Sequence, residues 1–329
     1  MPSFRLHARQ LRPAIAVAVT SVVLVPGGTA RAQTPVSPAA GSGLELKLQR
    51  PDGEQVLQGD RWSAVASTAQ YAAGTTVDIS FTAGSKRITK SVPLQPVNGS
   101  PQGTAQAVVP TDLRRSGRVV VRAAVPAGQS VAAATAATRI VRQVPTTLQA
   151  GDRGLGVQVL QQMLAENAYV IGRKGVYDAR TRRAVLALRK VTGMDATTSA
   201  SPSVFRALRA GKGRYAVRFP SHGRHVEVDV DRRVLVEVDG GKPLRIFHTS
   251  PGKPSTPTIR GSFRVYRKDP GTNAKGMYKS AYFIRGYAVH GFPSVPAGYG
   301  ASHGCLRVPM ADAGSIFAFM TIGMPVDTY

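Results

Sequence analysis

The spacing of apolar residues changes period twice along this chain, which limits it to three structural modules in series. From Leu44 to about Arg142 apolar residues recur at every second position, as in Leu44-Leu46-Leu48, Val77-Ile79-Phe81 and Val119-Val121-Ala123. Strand side chains alternate between faces, so this pattern predicts half-buried strands. Turn clusters such as Pro51-Asp52-Gly53 and Pro126-Ala127-Gly128 separate them. We read a β-sandwich over residues 44–143, a spacer without visible chemistry. From 149 to 212 the period becomes helical. Val157, Leu160 and Leu164 mark a helix within Gly156–Asn167, and Ala184, Leu186 and Leu188 mark another over Ala179–Val191. A third spans about Ser203–Ala210, and Asp178 is placed to cap the second. Past 213 the two-residue period returns. His225–Asp231 alternates strictly, and Val234–Val238 follows after a turn. Asp239-Gly240-Gly241 signals a hairpin. Leu244–Thr249, Ser262–Tyr266 and Ala288–His290 add strands, and Met310–Met320 reads as a helix. The expected fold is therefore multi-domain and mainly β. An open or barrel-like β-domain over 214–329 follows a small three-helix domain and the sandwich.

The start of the chain has the pattern of an export signal over residues 1–32. Arg5, Arg9 and Arg12 precede an apolar run from Ala14 to Val25, and Ala30-Arg31-Ala32 supplies a small-x-small cleavage site. Retention of this segment as an anchor is the alternative. Residues 33–43 form a Pro/Ser/Ala/Gly linker. No later stretch is long and apolar enough to span a bilayer, so the remainder is expected outside the cytoplasm, secreted to the cell wall or periplasm. The 43 Lys+Arg against 18 Asp+Glu give a formal charge of +25, of which about +21 remains once the arginines of the signal are removed. Such a charge suits anionic partners. Nucleic acid is set aside, because an exported chain rarely meets it and no aromatic residues interleave with the basic ones. Anionic cell-wall polymers fit better.

One cysteine is present, in Ser302-His303-Gly304-Cys305-Leu306-Arg307. Exported proteins use cysteines in pairs, so a single one signals a reactive thiol or an intermolecular bridge. Its glycine, histidine and arginine neighbours favour a thiolate nucleophile. Such a nucleophile needs a base, a group that fixes the base's tautomer, and donors for the oxyanion. His290 and His303 are the candidate bases. His222, His225 and His248 neighbour no nucleophile and read as ordinary polar residues. His290, His303 and Cys305 also compose a conceivable zinc set, but no Asp or Glu between Arg285 and Met310 is available to orient a ligating histidine. No metal or cofactor is expected.

These residues resemble a known family. His290-Gly291 followed by Ser302-His303-Gly304-Cys305-Leu306-Arg307 is similar to the signature of the L,D-transpeptidase catalytic domain, of the YkuD type. Thr249-Ser250-Pro251-Gly252-Lys253, Thr256-Pro257-Thr258 and Gly323-Met324-Pro325-Val326 agree with it. The helical segment, through Gly151-Asp152-Arg153-Gly154, Leu160-Gln161 and Gly175-Val176-Tyr177, resembles a peptidoglycan-binding domain, and the sandwich vaguely resembles immunoglobulin-like wall modules.

The resemblance implies acyl transfer on peptidoglycan stem peptides, with Cys305 as nucleophile and His290 as general base. The Gly291 carbonyl would orient His290, and the N–H groups of Gly304 and Cys305 would form the oxyanion hole. His303, Ser302 and Arg307 would support the site, Arg307 by binding a substrate carboxylate or by a structural pair. By their own composition residues 264–288, with Met277, Tyr282 and Phe283, read either as a substrate-covering segment or, for the aromatics, equally as core. From the helical pattern and the charge, residues 149–212 and the basic surface are expected to hold the wall while the last domain does the chemistry alone, a pure spacer being the alternative for the helical unit. Alternatives are a non-catalytic wall-binding protein and a cysteine hydrolase acting on the same peptides.

Overall fold

The computed structural model describes residues 43–50 and 55–329; the signal 1–32, the linker up to residue 42 and the Pro51-Asp52-Gly53 turn lie outside the described residues. The sandwich forms as the period predicted. One sheet runs Leu44–Gln49, Ser63–Thr68, Gly103–Val108, Gln95–Pro96, and the other runs Val56–Leu57, Arg139–Val144, Gly117–Val125, Thr76–Ala83, Lys86–Pro93. Leu46, Ala64, Ile79, Phe81 and Val121 meet between them.

The helical unit consists of α1 (Leu155–Ala165), α2 (Ala179–Val191) and α3 (Pro202–Arg209). Asp178 caps α2, accepting from Thr181 N–H at 2.9 Å. The buried Gln161 amide is fully satisfied. It donates to the carbonyls of Arg173 and Val176 at 3.0 and 3.1 Å and to Thr181 Oγ1 at 2.9 Å, and accepts from Gly175 N–H at 2.8 Å. The Leu160-Gln161 pair is thus accounted for by pinning of the loop before α2.

The last domain holds two open sheets and no closed barrel. One is ordered Lys242–His248, Val234–Asp239, His225–Asp229, Pro325–Thr328, Gly261–Arg264; the other Arg267–Thr272, Tyr278–Ile284, Tyr287–Phe292, Leu306–Pro309. Their facing side chains, among them Val226, Leu235, Phe247, Phe283, Val289 and Leu306, bury a core that α4 (Met310–Phe319) closes with Ile316 and Phe319. Gly240 and Gly241 take positive φ, as the tight hairpin between Val234–Asp239 and Lys242–His248 requires.

Three readings change. The strict alternation of His225–Asp229 suggested one wet face, but every residue of the strand is buried. Its polar face lies under residues 215–219 and the C-terminus. Glu227 there accepts from the N–H groups of Arg218 and Phe219 at 2.9 and 2.6 Å, and from the hydroxyls of Tyr215 and Tyr329. Second, residues 264–288 are largely sheet, with Lys275, Met277, Gly286 and Tyr287 reaching the cleft that holds Cys305. Arg267–Thr272 and Tyr278–Ile284 are strands of the second sheet, and their charged stretch concealed this. Third, the last domain is not separate from the helical unit. Val234, Val236, Val238 and Ile246 turn away from their own core and join that of α1, α2 and α3. Arg183 of α2 clamps the buried Asp312 of α4 with bonds of 2.6 and 2.9 Å.

Candidate active site

Cys305 ends a turn and immediately precedes the Leu306–Pro309 strand, which pairs in parallel with Tyr287–Phe292. In that register Arg307 stands beside His290. The result is a cleft of about 280 Å³ lined by His290, Ser302, His303, Cys305, Arg307 and Met277, with Lys275, Gly286, Tyr287 and Phe292 completing it. Six of the residues expected from the sequence therefore share one cleft. Tyr282 lies one layer below, packed with Met277, Ala288 and the half-buried Cys305. Phe283 is a correction. Neighbouring strand residues face opposite ways, so Phe283 points into the core between the sheets and does not reach the cleft.

His290 is 3% exposed. Its Nδ1 lies 3.0 Å from the carbonyl of Gly291, so Nδ1 carries the proton and Nε2 is left as an acceptor. Burial lowers its pKa most, and the Arg307 charge adds to this against the Gly291 hydrogen bond, so the ring rests neutral. Gly291 has a packing reason: a Cβ there would stand 2.8 Å from Ala313 Cβ of α4.

Cys305 differs from expectation. Burial pushes the thiol pKa up, outweighing the Ala288 backbone hydrogen bond and the Arg307 and Lys275 charges. The resting pair is neutral thiol and neutral imidazole, and the electropositive sequence setting does not by itself produce a thiolate.

The turn before Cys305 is held from within and without. Ser302 Oγ donates to the Cys305 carbonyl at 2.6 Å and accepts from the Gly304 N–H at 3.0 Å. The Gly304 N–H is therefore engaged inside the turn in this conformation. Gly304 has φ +112°, and a Cβ would meet the Tyr287 ring at 2.7 Å. From outside, Thr258 Oγ1 donates to the Gly304 carbonyl at 3.0 Å, and Lys253 N–H and Thr256 Oγ1 donate to the Ser302 carbonyl at 3.0 and 3.1 Å. The upstream segments noted in the sequence thus brace the cysteine turn.

His303 is exposed at the rim. The Arg307 guanidinium stacks over Phe292 at 4.0 Å and has no carboxylate partner among the described residues. No acidic residue lines the cleft. Sequence reasoning missed Lys275, Tyr287 and Phe292. Phe292 was within reach, since period two places it on the face of His290. Lys275 and Tyr287 carry no local signal.

A family model described as the L,D-transpeptidase catalytic domain matches residues 223–327. Among solved structures, the L,D-transpeptidase of Xylanimonas cellulosilytica (residues 123–326) is 34% identical, with 56% of this chain and 98% of that chain covered and a TM-score of 0.52. The chain belongs to the L,D-transpeptidase family. The catalytic domain of the Enterococcus faecium L,D-transpeptidase is 25% identical over 33% of this chain and 98% of that one, at a TM-score of 0.29. No curated protein matches this L,D-transpeptidase family member. Among its described residues no helix is long and apolar enough to cross a membrane.

Proposed function

We propose that this chain is a cysteine acyltransferase that cross-links or remodels peptidoglycan outside the cytoplasm. The observation that carries the reading is a half-buried thiol sharing one cleft with a buried histidine whose tautomer is fixed with Nε2 unprotonated. In the first step His290 Nε2 takes the Cys305 proton as Sγ attacks the carbonyl of the third stem residue, a diamino acid. Charge gathers on the carbonyl oxygen, and the Cys305 N–H faces it. The C–N bond to the terminal D-alanine then breaks, and its nitrogen takes the proton from His290. In the second step the side-chain amine of a neighbouring stem attacks the thioester, His290 accepts its proton, and the thiol leaves protonated. Arg307, with Lys275 across the cleft, is suited to a carboxylate of the donor stem. His303 closes the rim.

Retention on the wall has a candidate surface. A groove of about 540 Å³ between the sandwich and α1 is lined by Arg118, Arg142 and Arg153, with no acid. Arg118 and Arg142 stand directly opposite in the ladder, an unfavourable like-charge pair that an anionic wall polymer would relieve. Binding to sacculi should weaken with salt.

The test is incubation with purified sacculi followed by mass spectrometry of the muropeptides. The expected result is new cross-linked dimers with loss of D-alanine, absent with Cys305→Ala. Tripeptides without dimers would favour the hydrolase, and unchanged muropeptides with a folded protein would favour a purely wall-binding role.

A further inference from the structure

Lys190 of α2 is 4% exposed, and the chemistry above does not use it. Its Nζ lies 2.7 Å from His248 Nδ1 and 3.2 Å from each of the carbonyls of Arg233 and Thr249. The three donors of an ammonium therefore meet three acceptors in the last domain. A buried amine without such partners would be costly, so the site is built for it.

The consequence falls on His248, itself 4% exposed at the end of Lys242–His248. Burial lowers the Lys190 pKa to about 7, and Nζ can donate to Nδ1 as ammonium or as amine; with Nδ1 accepting, the ring proton sits on Nε2. Nε2 in turn lies 3.1 Å from the carbonyl of Val295. Val295 belongs to the connection that runs from Tyr287–Phe292 to the Cys305 turn. The next two residues hold the same region. Thr249 Oγ1 donates to the Arg307 carbonyl at 2.7 Å, and Ser250 Oγ to that of Tyr299 at 2.9 Å. Three consecutive residues thus fasten both ends of the cysteine-bearing loop, and a helix outside the last domain fastens them.

We propose that Lys190 is a positioning residue for acyl transfer: it sets the tautomer of His248 and, through the Val295 carbonyl, the conformation of the loop that presents Cys305. The helical unit is on this account part of the active centre. The other charged groups facing the pair are Arg183, earlier in α2 and paired with Asp312, and Arg233, whose charge acts on Lys190. With Lys190 removed, His248 is free to place its proton on Nδ1, and the bare Nε2 would then face the Val295 oxygen and repel it.

This inference rests on the acyltransfer reading, and the test separates the two. The first arm is a nitrogen NMR assignment of the His248 tautomer in the wild-type protein, which needs no activity. The expected form is Nε2–H, and an Nδ1–H ring overturns the proposal. The second arm compares Lys190→Met, His248→Gln and the double variant by acyl transfer to a stem peptide. Lys190→Met should lower kcat by about tenfold, with KM changed less than twofold. A glutamine amide can still donate to Val295 and has no ring tautomer to lose. Lys190→Met should therefore have little effect in the His248→Gln background. Equal losses in both backgrounds, or no loss in a folded Lys190→Met protein, overturn the proposal. If the wild type transfers no acyl group, the functional reading has failed, and the tautomer arm still decides the wiring.

Discussion

Ser302→Ala separates a braced turn from a merely exposed cysteine. The hydroxyl makes two bonds, to the Cys305 carbonyl at 2.6 Å and from the Gly304 N–H at 3.0 Å. Each such bond has a net worth of about 0.5–1.5 kcal/mol, so the variant loses about 1–3 kcal/mol of preference for the catalytic turn. At about 1.4 kcal/mol per tenfold change, the rate of acyl-enzyme formation should fall about 5- to 150-fold. The braces from Thr256, Thr258 and Lys253 remain, so the fold should persist with little change in Tm. The assay is stopped-flow release of D-alanine from a tetrapeptide stem, with Ser302→Thr as the control that keeps a hydroxyl. A wild-type rate for Ser302→Ala, or an equal loss for Ser302→Thr with its hydroxyl bonds intact, would refute the reasoning.

Three further outcomes are expected. Gly304→Ala should cost at least about 1–2 kcal/mol in backbone strain alone, with the Tyr287 overlap added, and should nearly abolish turnover; kinetics and thermal melting check both parts. Alkylation of Cys305 by iodoacetamide should keep rising above pH 9, because burial holds the thiol above its ordinary value, whereas turnover should fall only below about pH 6.5, where His290, with its lowered pKa, begins to protonate. A chain starting at Tyr215 would expose Val234, Val236, Val238 and Ile246, a loss of about 1.5–3 kcal/mol per side chain, and should fail to give a cooperative melt.

The helices were legible because each carries an apolar stripe, and Asp178 marked the start of α2 to the residue. The cleft was legible because its key members sit in two short motifs, and the glycine before Cys305 permits a backbone conformation that other residues rarely adopt. What escaped was decided between distant segments. Val234–Asp239 carries Val234, Leu235, Val236 and Val238 around Glu237, which says that both faces hold apolar residues but not that one of them meets the helices. The pairing of Gly304 N–H with Ser302 Oγ depends on a turn no periodicity describes. Nothing in the sequence marks Lys190 as interior, and only its three acceptors show that it is.

The central claim is a thioester on Cys305, and it is tested most directly by trapping it. The protein is incubated with a tetrapeptide stem without acceptor amine, quenched in acid and mapped by mass spectrometry. The predicted result is an adduct of the stem less its terminal D-alanine, confined to the peptide holding Cys305 and absent in Cys305→Ser. Release of D-alanine with the adduct on another residue, or undiminished release by Cys305→Ala, would contradict the account.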